Sequence, residues 1–133
     1  MKLGVITDCF KKPLEECIVL AAKNGFDGVQ IYATSGEFSP ETLTPEKKSK
    51  IKQLLKENKL EVSALCGDMG GYGFEIEKDN AERVERTKRI IDLAVEFGSQ
   101  VVTTHIGVIP SDKNQPRYSV MLNALTEAGL YAK

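Results

Sequence analysis

The sequence predicts an α/β protein: a truncated (β/α)4 half of an eight-unit barrel, with parallel strands inside and helices outside. Three observations predict it. Short apolar, β-branched runs alternate with longer amphipathic patterns, as parallel strands joined by right-handed crossovers require. Each run ends in a polar cluster. One grammar of helix end, stop residue, short link and β-branched strand recurs at Ala22–Val29, Lys56–Val62 and Glu96–Val102. A closed barrel takes about eight such units, whereas these 133 residues hold four and end within the fourth helix. With no internal linker, residues 1–133 are expected to form one partial domain.

The elements follow in order. Leu3–Thr7 reads as a buried parallel strand and Asp8–Lys12 as a polar loop. Pro13 suits a first helical turn, where its missing N–H costs nothing. Leu14, Ile18, Ala21 and Ala22 recur at helical spacing, and Asn24-Gly25 supplies a left-handed stop. Val29–Ala33 is the second strand. Thr44-Pro45-Glu46 opens a helix with a capping hydroxyl, a proline at the first position and an acid in the first turn. Ile51, Leu54 and Leu55 form its buried face, and Asn58 is its expected stop. Leu60–Leu65 is the third strand, running into the glycine-rich Cys66–Gly73 loop. A third helix is expected from about Asn80 to Phe97, a fourth strand over Val101–Thr104, and a fourth helix over Tyr118–Lys133.

Composition narrows the function classes. Eighteen basic residues balance nineteen acidic ones, for a net charge of −1, which argues against a nucleic-acid binder. No apolar run approaches the roughly 18 residues needed to span a bilayer. The opening Met1–Thr7 lacks the apolar length and cleavage site of a signal peptide, so a cytoplasmic location is expected. Cys9, Cys17 and Cys66 form no CxxC pair and are expected as free thiols. Cys17 falls on a helical stripe and should be core.

Ligands of parallel α/β sheets bind beyond the carboxyl ends of the strands. Those ends carry Thr7, Asp8 and Cys9; Tyr32, Thr34 and Glu37; Cys66, Asp68 and the glycine loop; and His105. Strand alternation puts Gln30 and Tyr32 on one face and Val29 and Ile31 on the other, so the polar pair should point into the barrel. It also groups Val101, Thr103 and His105. The glycines at 67, 70, 71 and 73 lack the lysine and hydroxyl of a phosphate loop and read as a mobile flap bearing Tyr72. Asp68 either accepts from a ligand hydroxyl or caps that loop, the loop role weighing more. Glu37 reads as a solvated loop acid, and Glu82–Arg89 as the wet face of a helix.

Lys2–Val5, Asn24–Gln30, Ala64–Asp68 and His105-Ile106-Gly107 together resemble the sugar phosphate isomerase/epimerase family, with its xylose-isomerase-like TIM barrel. The resemblance spans the chain but only the first half of the family's domain. It implies a divalent metal (manganese, magnesium or zinc) that polarises a sugar carbonyl or hydroxyl while paired glutamates move a proton. Most metal ligands and both glutamates are implied on strands five to eight, so no metal is expected to bind tightly here. A single histidine with scattered acids also falls short of the three or four converging ligands a metal needs. The endonuclease-like relatives carry a histidine where this chain has Cys66, which disfavours DNA repair.

The chain is therefore expected to be the N-terminal half of a metal-dependent sugar or sugar phosphate isomerase or epimerase, inactive alone. Its expected substrate-binding residues are His105, Gln30, Tyr32, Cys66 and Asp68. The alternative is a non-catalytic binding or self-assembling module derived from the same fold. Two unpaired strand edges and an open inner face predict homo-oligomers.

Overall fold

The computed structural model describes residues Met1–Lys133. Four strands, β1 (Gly4–Ile6), β2 (Gly28–Tyr32), β3 (Glu61–Cys66) and β4 (Val102–Thr103), form one sheet in the order β1-β2-β3-β4. Every neighbouring pair is parallel. Between and after the strands run α1 (Leu14–Lys23), α2 (Pro45–Glu57), α3 (Glu77–Glu96) and α4 (Pro116–Tyr131). This is the expected half barrel, with both edge strands unpaired on their outer side.

The core lies between sheet and helices. Val29, Ile31, Val62 and Leu65 of the strands meet Ile18, Ala21, Ile51, Leu55, Ile90 and Leu93 of the helices. Ile18 and Leu65 are wholly buried, so truncating either to alanine should cost about 2–5 kcal/mol. Phe38 and Phe97 close the α2–α3 end edge to face at 4.9 Å. Cys17 is buried as expected, and burial pushes its thiol up. No helix is long and apolar enough to cross a membrane.

A bulge shapes β3. Val62 pairs with Val29 but Ala64 pairs with Gln30, leaving Ser63 as the extra residue. The Ser63 hydroxyl donates to the Val29 carbonyl at 3.0 Å, replacing a ladder bond the bulge removes. Gly4 and Gly28 make room for it: a Cβ on Gly4 would lie 3.2 Å from Ser63 Oγ.

Several expectations need correction. Asp8–Lys12 is not plain loop, because Thr7–Phe10 forms a 3-10 turn that ends at Lys11 in a left-handed conformation. The left-handed stop after α2 is Lys59 at φ 55°, not Asn58; Asn58 instead donates its side-chain amide to the Leu54 carbonyl. Helix α3 starts at Glu77, three residues early, after Ile76, which offers no capping side chain. Strand β4 keeps only two paired residues. The charged run on α3 is not simply wet: Arg83 donates to the Gly70 carbonyl, Arg86 to the Thr34 carbonyl, and Lys88 bridges Glu85 and Glu127 of α4. α3 therefore secures two strand-tip loops and the next helix.

Candidate functional site

The site is built on the sheet's inner face. Register places Tyr32, Cys66 and Thr103 side by side across β2, β3 and β4. One step below, Ile6, Gln30 and Ala64 are aligned in the same way. Val29 and Ile31 turn outward into the core, so Gln30 and Tyr32 face inward as alternation required. The Gln30 amide donates from Nε2 to Thr103 Oγ1 at 3.3 Å. Because β3 lies between the two strands, this side chain reaches across Ala64 and Cys66, whose small size permits the crossing. Both are buried on an otherwise open face.

Tyr32 forms the rim. Its hydroxyl is pushed above the ordinary tyrosine range, first by Cys66 beside it, then by lost hydration and the carboxylates of Asp68 and Asp8. It therefore stays a neutral donor at physiological pH. Next to it, a cleft of about 540 Å³ opens between the turn after β1 and the loop after β2, lined by Thr7, Asp8, Lys11, Lys12, Tyr32, Ser35 and Glu37 among others. Thr7 is buried and its hydroxyl donates toward the Gln30 carbonyl and Asp8 Oδ2, each at 3.3 Å. A larger groove, about 700 Å³, runs between α1 and α2 on the outer surface over Val19, Leu20 and Leu54. It contains no inner-face group, so the strand-tip cleft is the stronger candidate.

His105 lies two residues beyond Thr103, is exposed, and forms no hydrogen bond through its imidazole within the chain. Asp68 is committed to its loop: Oδ1 accepts the Gly70 N–H at 2.7 Å. The glycine loop is not a free flap. Phe74 N–H donates to the Ile106 carbonyl at 3.0 Å, and Gly73 and Gly107 pack backbone against backbone. Tyr72, the expected apolar contact, is exposed. Cys9 is an exposed thiol on the 3-10 turn, away from Cys66 in the sheet.

The structure thus brings Gln30, Tyr32 and Cys66 together with Thr103, which the alternation had grouped with His105 but not marked as a site residue. Sequence reading missed Glu75 and Arg117 entirely, since an acid and a base 42 residues apart carry no local signal. No three His, Cys, Asp or Glu side chains converge as metal ligands do, so these residues by themselves do not build a divalent-ion site.

A parallel half barrel with a polar inner row and a cleft at its strand tips defines a class by its architecture, half of a (β/α)8 barrel. The family model described as xylose isomerase-like TIM barrel matches residues 18–133, and the chain belongs to that family. A comparison with proteins of curated function finds no match. Among solved structures, a xylose isomerase domain protein from Planctomyces limnophilus is similar at 24% identity and a TM-score of 0.71, over 98% of this chain and 51% of that one. The probable 3-DHS dehydratase of petrobactin synthesis from Bacillus anthracis matches at 20% identity and a TM-score of 0.74, over 99% and 48%. The 3-keto-D-glucoside 4-epimerase of E. coli matches at 21% identity and a TM-score of 0.66, over 99% and 53%. The chain therefore spans about half the length of these structures, which establish the shared fold.

Proposed function

We propose that this chain is the N-terminal half of a metal-dependent sugar or sugar phosphate isomerase or epimerase, and that it supplies one hydrogen-bonding wall of the sugar site. The observation that carries the reading is the inward row of Tyr32, Cys66 and Thr103 in one register, with Gln30 one step below bonded to Thr103 and His105 two residues past the end of β4. A polyol needs donors and acceptors in alternation. Tyr32 offers a neutral hydroxyl, Gln30 the oxygen left free when its nitrogen engages Thr103, and His105 an unengaged imidazole. Asp68, tied through Oδ1, has its second oxygen available. Lys11 and Lys12 line the cleft together with Asp8 and Glu37, so its charges balance and it suits a neutral sugar as well as a phosphorylated one. The metal ligands and proton-moving carboxylates of such an enzyme would come from the second half of a barrel, so this chain alone binds weakly and does not turn over. Its open face would be covered by that half or, in solutions of this chain alone, by a second copy.

The test is a titration of ketoses and ketose phosphates, followed through the Tyr32 and His105 ring signals. Both should shift on binding, and Tyr32→Phe or His105→Ala should weaken binding by about 2- to 10-fold, the worth of one hydrogen bond. Saturating sugar that perturbs neither ring would overturn the reading and favour the assembly module. Turnover that needs manganese and a supplied second half, and that His105→Ala abolishes, would establish the enzyme.

A further inference from the structure

Both flanks of His105 are tied to a single neighbouring segment, residues 67–75. Before it, the Gly67 N–H donates to the Thr103 carbonyl at 2.7 Å and Thr104 Oγ1 donates to the Gly67 carbonyl at 3.2 Å. After it, the Phe74 N–H donates to the Ile106 carbonyl at 3.0 Å and the Val108 N–H donates to Glu75 Oε1 at 2.7 Å. The other oxygen of Glu75 accepts from Arg117 Nη1, in the first turn of α4, at 2.8 Å. The Glu75 side chain is only 8% exposed. A carboxylate so enclosed, holding two short charge-assisted bonds, has little freedom to move.

Steric contact reinforces the bonds. A Cβ on Gly73 would lie 2.2 Å from the Ile106 carbonyl carbon, and one on Gly107 would lie 2.5 Å from the Tyr72 carbonyl oxygen. Both glycines also adopt positive φ, 58° and 94°. The two segments therefore meet main chain to main chain, Thr104 and Glu75 bridge them through their side chains, and Glu75 also reaches on to α4.

From this we propose that Glu75 is the positioning residue for His105: it fixes residues 106–108, and through Arg117 the start of α4, so that the imidazole is presented to the strand-tip site. The claim rests on the reading that His105 lines that site.

His105 is the only histidine, so ring-labelled histidine gives one unambiguous imidazole signal. In Glu75→Ala, exchange of the Val108 amide should accelerate by at least about tenfold, as expected when a hydrogen bond to a charged group is lost from a local opening. The imidazole signal should move and broaden with it. Glu75→Gln keeps an acceptor for the Val108 N–H but loses the one for Arg117, so it should return the signal to about where Arg117→Ala leaves it. Arg117→Ala, at a position 42% exposed, should give a smaller displacement in the same direction, and it decides the matter if Glu75→Ala does not fold. An imidazole signal that stays put while Val108 exchange rises overturns the proposal, as does a displacement that glutamine leaves as large as alanine does. Sugar titration of the wild-type chain reads the same signal. A silent titration would sink the sugar-site reading alone, whereas an unmoved imidazole in the variants would sink the clamp alone.

Discussion

Lys59 holds a φ of 55° at the end of α2, where the equivalent positions after α1 and α3 are Gly25 at 79° and Gly98 at 73°. A side chain there crowds the following carbonyl, and glycine does not. Lys59→Gly should therefore raise stability by about 0.5–1 kcal/mol, the left-handed strain relieved less the extra chain entropy of glycine, measured by urea unfolding. An unchanged or lowered midpoint would show that strain is absent. The same three helix ends show what a single residue reveals in sequence. Gly25 and Gly98 were legible because glycine marks the left-handed region, whereas nothing in a lysine announces it. Gln30 and Tyr32 were legible from strict alternation with Val29 and Ile31. Glu75 was not, because its importance comes from Val108 and Arg117, which only the fold brings near.

Between elements, ion pairs cross from helix to helix. Lys48 and Lys52 of α2 hold the Glu96 carboxyl of α3 below its ordinary value of 4.5. Glu15 is held low first by its own backbone N–H in the first turn of α1 and then by Lys50 of α2. A carboxyl whose folded value is depressed stabilises the fold above its unfolded value and loses that contribution as pH falls through the folded one. Thermal midpoints should thus hold steady from neutrality to about pH 5 and fall below the ordinary carboxyl range. In Glu96→Gln the acid loss should shrink; the same loss as in wild type would remove Glu96 as its source. Salt should blunt the effect, since these groups are partly exposed. Element identity was the most legible level. Helix α2 opens where its cap said it would, with Lys47 N–H donating to Thr44 Oγ1 at 3.3 Å. Helix α3 did not, because its first turn is set by contacts of the preceding loop rather than by a capping residue.

The whole molecule is an open sheet with one covered face. Met1, Leu3 and Ile6, in and just before β1, and Val101, Val108 and Ile109, on either side of β4, are all exposed. Leu122 and Leu130 are exposed on α4. Bare apolar edges of this kind seek polypeptide. Sedimentation of the isolated chain should show average mass rising with concentration, and a monomer at every loading would overturn that expectation. The half-barrel architecture was readable because four strand–helix repeats in one direction leave few topologies. What escaped was the parity of β3. Were that strand regular, Val62 against the helices would place Ala64 and Cys66 there too, and turn Leu65 toward the inner face. The irregularity at Ser63 swaps those assignments, sending Leu65 to the oily layer and Cys66 to its seat beside Tyr32. Deleting that serine would leave Val62, Ala64, Leu65 and Cys66 in plain alternation on the faces they already hold, whereas keeping it in a strand forced to be regular would put leucine where the thiol now sits, so the bulge and its extra residue are one device.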